Sequence, residues 1–161
     1  MKKRITLALF VSHLLVAGSG VMMGIYLLPI ITAPMAPDQA SLELTVKNRD
    51  YTGTFSRDRI DSDFLHWGEG EISISPDNIA FSGELAPGPD YRLYLSPEFV
   101  ETELDFHRLK SSMILVGAIN TFGNFIVPIP NNVDPSQYMS LVVWCESFSQ
   151  FITSGTYEKI N

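Results

Sequence analysis

The side chains best equipped for redox or ligand chemistry are one sulfur and a few imidazoles. Cys145 is the single cysteine among 161 residues, and it directly follows Trp144 in SLVVWCESFSQF, residues 140 to 151. A lone cysteine excludes an internal disulfide, a thiolate-rich zinc site and a CxxC redox pair within one chain. It leaves thiol redox chemistry, ligation of a cofactor, or burial as a small apolar side chain. His66 lies in DFLHWGEG, between an apolar anchor, Trp67, and two glycines that suggest a tight backbone path. An imidazole there suits a ligand or a proton donor, and equally a hydrogen-bonded loop. Cys145, His66 and His107 together have the residue types of a copper electron-transfer site, yet the close Cys-to-His spacing expected after the cysteine is missing. Other chemistries find no support. GEGE at 68–71 lacks the spacing and the following helix of a phosphate loop, and there is no HExxH, GxSxG or EF-hand pattern.

These groups must be held by strands. Read as β, Met139, Leu141, Val143 and Cys145 point one way, and Ser140, Val142, Trp144 and Glu146 the other. The cysteine's face is apolar, which predicts a core strand with the sulfur in the core or at a site on its edge. YTGTF (51–55), EISIS (71–75), IAFSGEL (79–85) and YRLYL (91–95) read as further strands. So do Met113–Ile119, Phe125–Ile129 and Ile152–Tyr157. Turn residues separate them, such as Ser75-Pro76-Asp77-Asn78 and Ala86-Pro87-Gly88-Pro89-Asp90. Short strands punctuated in this way predict an all-β antiparallel sandwich or barrel over residues 48–161. The acidic stretch 96–110 reads as a surface excursion with a helical turn from Pro97 to Glu103.

Ahead of the β region, Ile5 to Ala33 contains no Asp, Glu, Lys or Arg, and Lys2, Lys3 and Arg4 precede it. About 20 apolar residues span the hydrocarbon layer as a helix, which Ile5–Leu28 satisfies, with Pro29 as its expected end. The apolar run continues past the small-residue stretch Ala17-Gly18-Ser19, which favours an uncleaved signal anchor over a cleaved signal peptide. The N-terminal basic residues would stay in the cytoplasm and the domain would lie outside. Gly20 and Gly24 permit close helix packing. PMAPD (34–38) reads as a stiff spacer that lifts the domain off the bilayer, and Ser41–Val46 as a possible first strand within a 34–47 linker. The formal net charge is −7, and only eight of the eleven basic residues follow the apolar segment, against all eighteen acidic ones. That balance excludes nucleic acid as the natural partner and argues against docking on anionic lipid.

Three blocks in order, HWGEGEISIS, GPDYRLYLS and LVVWCESFSQF, resemble the DM-thirteen domain, a family proposed to act in electron transfer. The matching positions are Gly88-Pro89-Asp90, Tyr94-Leu95-Ser96, then Gly117, Gly123 and a proline at 128 or 130. The last block is the most specific: Tyr138, Val142, Val143, Trp144, Cys145 and Phe148. LVGAINTFGNFIVPIP departs from the family's usual segment in lacking its lysine and tyrosine, and ITSGTY replaces its closing small apolar run. The anchored N-terminus with GIYLLP is similar to that of bacterial members. The resemblance implies a β module on the periplasmic side of the inner membrane, with a redox-active or cofactor-ligating Cys145 and a redox protein as partner. In animals and plants such modules accompany haem domains, but no particular cofactor follows for this chain. Within this reading Cys145 is the active atom, Trp144 shapes its pocket and His66 is the second polar group. The rival reading is a non-catalytic protein-binding module in which Cys145 is a core residue and the 97–107 excursion or the GPD loop makes the contacts.

Overall fold

The computed structural model describes residues 2–160. Eight strands follow an N-terminal helix: β1 (Tyr51–Phe55), β2 (Gly68–Ile74), β3 (Asn78–Leu85), β4 (Tyr91–Ser96), β5 (Ile114–Ile119), β6 (Phe125–Pro128), β7 (Ser140–Cys145) and β8 (Gln150–Lys159). They form one antiparallel sheet in the order β5-β4-β7-β8-β1-β2-β3-β6. The sheet curls until β5 and β6 lie against each other without exchanging ladder hydrogen bonds, so the barrel is nearly closed. The expected all-β architecture is therefore what the chain adopts, as a barrel.

Two apolar layers hold it. Inside the barrel, Leu141, Val143 and Cys145 of β7 pack with Ile72, Phe81, Leu93 and Ile152. On the outer face of the same strand, Val142 and Trp144 pack under α3 (Glu103–Leu109), chiefly on Phe106. All six residues of β7 are buried because both its faces are covered. Burying one side chain such as Phe106 is worth about 1.5–3 kcal/mol. Thr102 starts α3 by accepting the Asp105 N–H at 3.0 Å. The helix thus begins where the turn expected at Pro97–Glu103 was to end, because the capping oxygen is at 102.

The apolar N-terminal segment is one helix, α1 (Lys2–Thr32), whose stretch from Lys3 is long and apolar enough to cross a membrane, with none of its most apolar window buried. It runs through Pro29 rather than ending there: so near the C-terminus, the missing N–H costs a single bond. Ser41–Val46 is not a strand. It belongs to α2 (Gln39–Lys47), whose first turn is capped by the Asp38 carboxylate accepting from the Ser41 N–H at 2.7 Å. Leu42 and Thr45, three apart, are its buried residues, and it packs on β2 and β3. Six residues of SLELTV satisfy both periods; the cap selects the helix.

Candidate functional site

Cys145 is the last residue of β7, opposite Tyr91 at the start of β4 and Gln150 at the start of β8. The site therefore sits at one end of the barrel, where three strands begin or end. Cys145 is 2 % exposed, and its thiol donates its proton to the Pro89 carbonyl, 2.9 Å away. The loop before β4 is built for this. A Cβ on Gly88 would lie 2.4 Å from the Tyr91 hydroxyl, so only glycine lets the loop close over that ring. Tyr91 is in turn fixed by donating to the Ala86 carbonyl at 2.9 Å. Asp90 takes the left-handed conformation, φ 56°, which aspartate tolerates better than most residues. From there its carbonyl accepts from the Glu146 N–H at 3.1 Å, and its carboxylate pairs with Arg92 at 2.7 Å and accepts from Ser147. Gly88-Pro89-Asp90 is thus a strap that ties the start of β4 to the β7–β8 turn across the cysteine.

Electrostatics keep the sulfur protonated. Burial pushes the Cys145 thiol up, and the acidic side chains of Asp90 and Glu146 push the same way. Backbone N–H groups of Phe148 and Ser147 oppose the shift without cancelling it. Glu146 itself is occupied: it accepts from the Tyr94 hydroxyl and from Lys110 Nζ at 2.9 and 3.0 Å. Burial also pushes the Tyr94 and Tyr91 hydroxyls above the ordinary tyrosine range.

A pocket of about 280 Å³ opens beside the sulfur. Cys145, Tyr91, Phe148, Leu65 and His66 line it from the barrel, and Met22, Ile25 and Tyr26 of α1 form the facing wall. Two of the expected site residues, Cys145 and His66, are therefore brought to one cavity from positions 79 apart in the chain. His66 is held by Asp63, whose carboxylate lies 3.1 Å from the ring Nδ1 and also accepts from the Leu65 and His66 N–H groups. Desolvation raises the Asp63 pKa, but these hydrogen bonds outweigh it and hold the carboxyl below its usual range.

Trp144 is not part of this cavity. It points through the opposite face of β7, where its ring stacks on Phe106 at 3.8 Å between centroids with the His107 ring edge-on at 5.2 Å. Its indole N–H is buried without a hydrogen-bond partner among the described residues. His107 accordingly lies across the sheet from Cys145 and does not join Cys145 and His66. Among the described residues no group of three or more His, Cys, Asp or Glu is gathered as a metal centre requires. Of the cavity's other members, Tyr91, Leu65, Phe148 and the α1 residues were not among the expected site residues; the GPD block was the sequence signal for the strap.

Residues 59–157 match the family model described as Electron transfer DM13, which is more than half the chain. The chain belongs to the DM13 family. Searches of curated proteins and of solved structures found no significant match. The DM13 segment contains the strap, Cys145, His66 and Phe148, and so supplies the barrel side of the cavity. It excludes β1, which pairs with β2 and β8 in the middle of the sheet, and it excludes α1, which supplies the other wall.

Proposed function

We propose that this DM13 protein is a membrane-anchored, extracytoplasmic electron-transfer or thiol-redox module, with Cys145 as its working atom. The observation that carries the reading is the convergence of the only thiol and His66 on one cavity within a segment matching an electron-transfer family. α1 is the anchor, with Lys2–Arg4 on the cytoplasmic side and the barrel on the periplasmic side of the inner membrane. The chemistry is exchange with a disulfide of a partner protein. A bond forms between Cys145 Sγ and one partner sulfur, the partner's S–S bond breaks, and the other sulfur leaves as a thiol carrying the proton. His66 is the group beside the cavity suited to moving that proton. The raised thiol pKa and the hydrogen bond to Pro89 make the resting sulfur a poor nucleophile, so the partner must first loosen the strap.

Oxidative trapping on intact cells tests this. Wild-type protein should form a mixed disulfide that reducing agent releases, and Cys145→Ser should lose it while remaining folded. A folded wild-type protein that never forms the adduct, with Cys145→Ser indistinguishable in function, would refute the redox reading.

A second reading has a specific observation in its favour. Cys145 is almost fully buried and its thiol proton already has an acceptor, which is reason enough for a cysteine at this position. In that case the protein is a binding module, its partner is recovered by crosslinking, and capture survives Cys145→Ala.

A further inference from the structure

Where the barrel stands relative to the bilayer follows from helix arithmetic. This inference rests on reading α1 as membrane-spanning. A helix rises 1.5 Å per residue and the hydrocarbon layer is about 30 Å thick, so about 20 residues cross it. Counted from Arg4 at the inner boundary, the outer boundary falls about residue 24. Met22, Ile25 and Tyr26 straddle that level, and these residues wall the Cys145 cavity together with Leu65 and Phe148. The barrel end that carries Cys145 is therefore at the height of the outer headgroups. The PMAPD spacer does not lift it away, because α1 continues beside the barrel before the chain turns back.

The surface at that end matches the location. Phe64 is 85 % exposed and Phe148 52 %, and Leu65 in the cavity wall is also exposed. Leu65 from the β1–β2 loop and Phe148 from the β7–β8 turn face α1 across the cavity, and Phe64 is the chain neighbour of Leu65, so two separate turns present bare apolar side chains at this end. The neighbouring α1 residues Met23 and Leu27 are exposed as well, and lipid is what covers them when α1 spans the membrane. Through Leu65 and Phe148 this surface meets α1 at Met22, Ile25 and Tyr26. The acidic balance of the domain selects against anionic headgroups.

We propose that the barrel rests on the outer leaflet through this end, with Phe64, Leu65 and Phe148 in the interfacial layer of zwitterionic lipid and the Cys145 cavity opening at the membrane surface. Redox partners would then meet the sulfur at the bilayer plane.

Full-length protein in phosphatidylcholine nanodiscs, with and without lipid brominated high on its acyl chains, tests the placement. Tryptophan is introduced singly at Phe10, Phe64, Phe148 or Met139, and the emission added over the parent protein is compared. Phe10→Trp reports the anchor, and Met139→Trp the opposite end of β7. The proposal expects brominated lipid to remove added emission at 10, 64 and 148 and to leave that at 139. Quenching at 10 with either 64 or 148 unaffected overturns the docking and leaves the anchor standing. Quenching at 139 to the same extent overturns the orientation. No quenching at 10 shows that α1 does not span, and both the anchor and the docking fall.

Discussion

The Cys145 thiol and the Pro89 carbonyl are 2.9 Å apart, so the only sulfhydryl in the chain enters every encounter already bonded to its own strap. The strap is what a reagent has to displace. Alkylation by iodoacetamide should therefore be slow at neutral pH and should rise with a midpoint above the ordinary thiol value of about 8.5. Because the folded thiol holds its proton more tightly than the unfolded one, its contribution to stability is complete below the unfolded pKa. It is lost as pH climbs through the folded pKa. Denaturant midpoints compared between wild type and Cys145→Ala across the alkaline range should converge as pH rises. A fast, pH-independent reaction would mean that the strap does not control the sulfur.

Replacing the sulfur separates packing from chemistry. Serine retains a donor for the Pro89 carbonyl, whereas alanine leaves that acceptor unpaired and a small void on the side facing Tyr91. Alanine should cost about 1–3 kcal/mol, and serine should keep the hydrogen bond. Urea unfolding of the two variants checks the order.

Gly88→Ala should damage the site without touching the cysteine. The new Cβ meets a Tyr91 hydroxyl that is locked to Ala86 inside the core, so the ring or the loop must move. Overpacking of this kind costs about 1–3 kcal/mol. The expected sign is lower stability together with faster alkylation of Cys145, since the strap can no longer close. A variant that loses stability but protects the thiol as before would show that Gly88 serves the core alone.

Phe106→Ala strips the outer face of β7. The aromatic stack on Trp144 is lost, and a loss of about 3–5 kcal/mol is expected by denaturation. Trp144→Phe should be much milder than its change in volume suggests, because it also removes a buried N–H that has no acceptor.

Acid should weaken the turn next to the sulfur. Desolvation raises the Glu146 pKa, but the Tyr94 hydroxyl and Lys110 more than compensate and hold it below its usual value. A carboxylate depressed in the folded state contributes stability above its unfolded pKa and loses it as pH falls through the folded one. Glu146→Gln should therefore flatten the acid limb of the stability profile measured by thermal melts.

Strands were legible wherever turn chemistry bracketed them, as at Ser75–Asn78 and at the GPD block. SLELTV was not, because over six residues the cap at Asp38 and the pairing of Leu42 with Thr45 outweigh an alternation that fits equally well. The site was half legible. Alternation along β7 already sends Trp144 to the face opposite Cys145, so a shared cavity was excluded by the strand geometry itself. His66 could be named but not placed, since its approach to Cys145 depends on how eight strands are ordered. The α1 wall was invisible for the same reason: nothing in an apolar segment says which of its residues a folded domain will lean against.

The meeting of β5 and β6 bears on encounters between copies of the barrel. Unpaired backbone along the rim of a sheet invites a neighbour to extend it, and confinement raises the number of such encounters. Here the first and last members of the ladder lie against one another, which narrows the open edge a neighbouring copy would need.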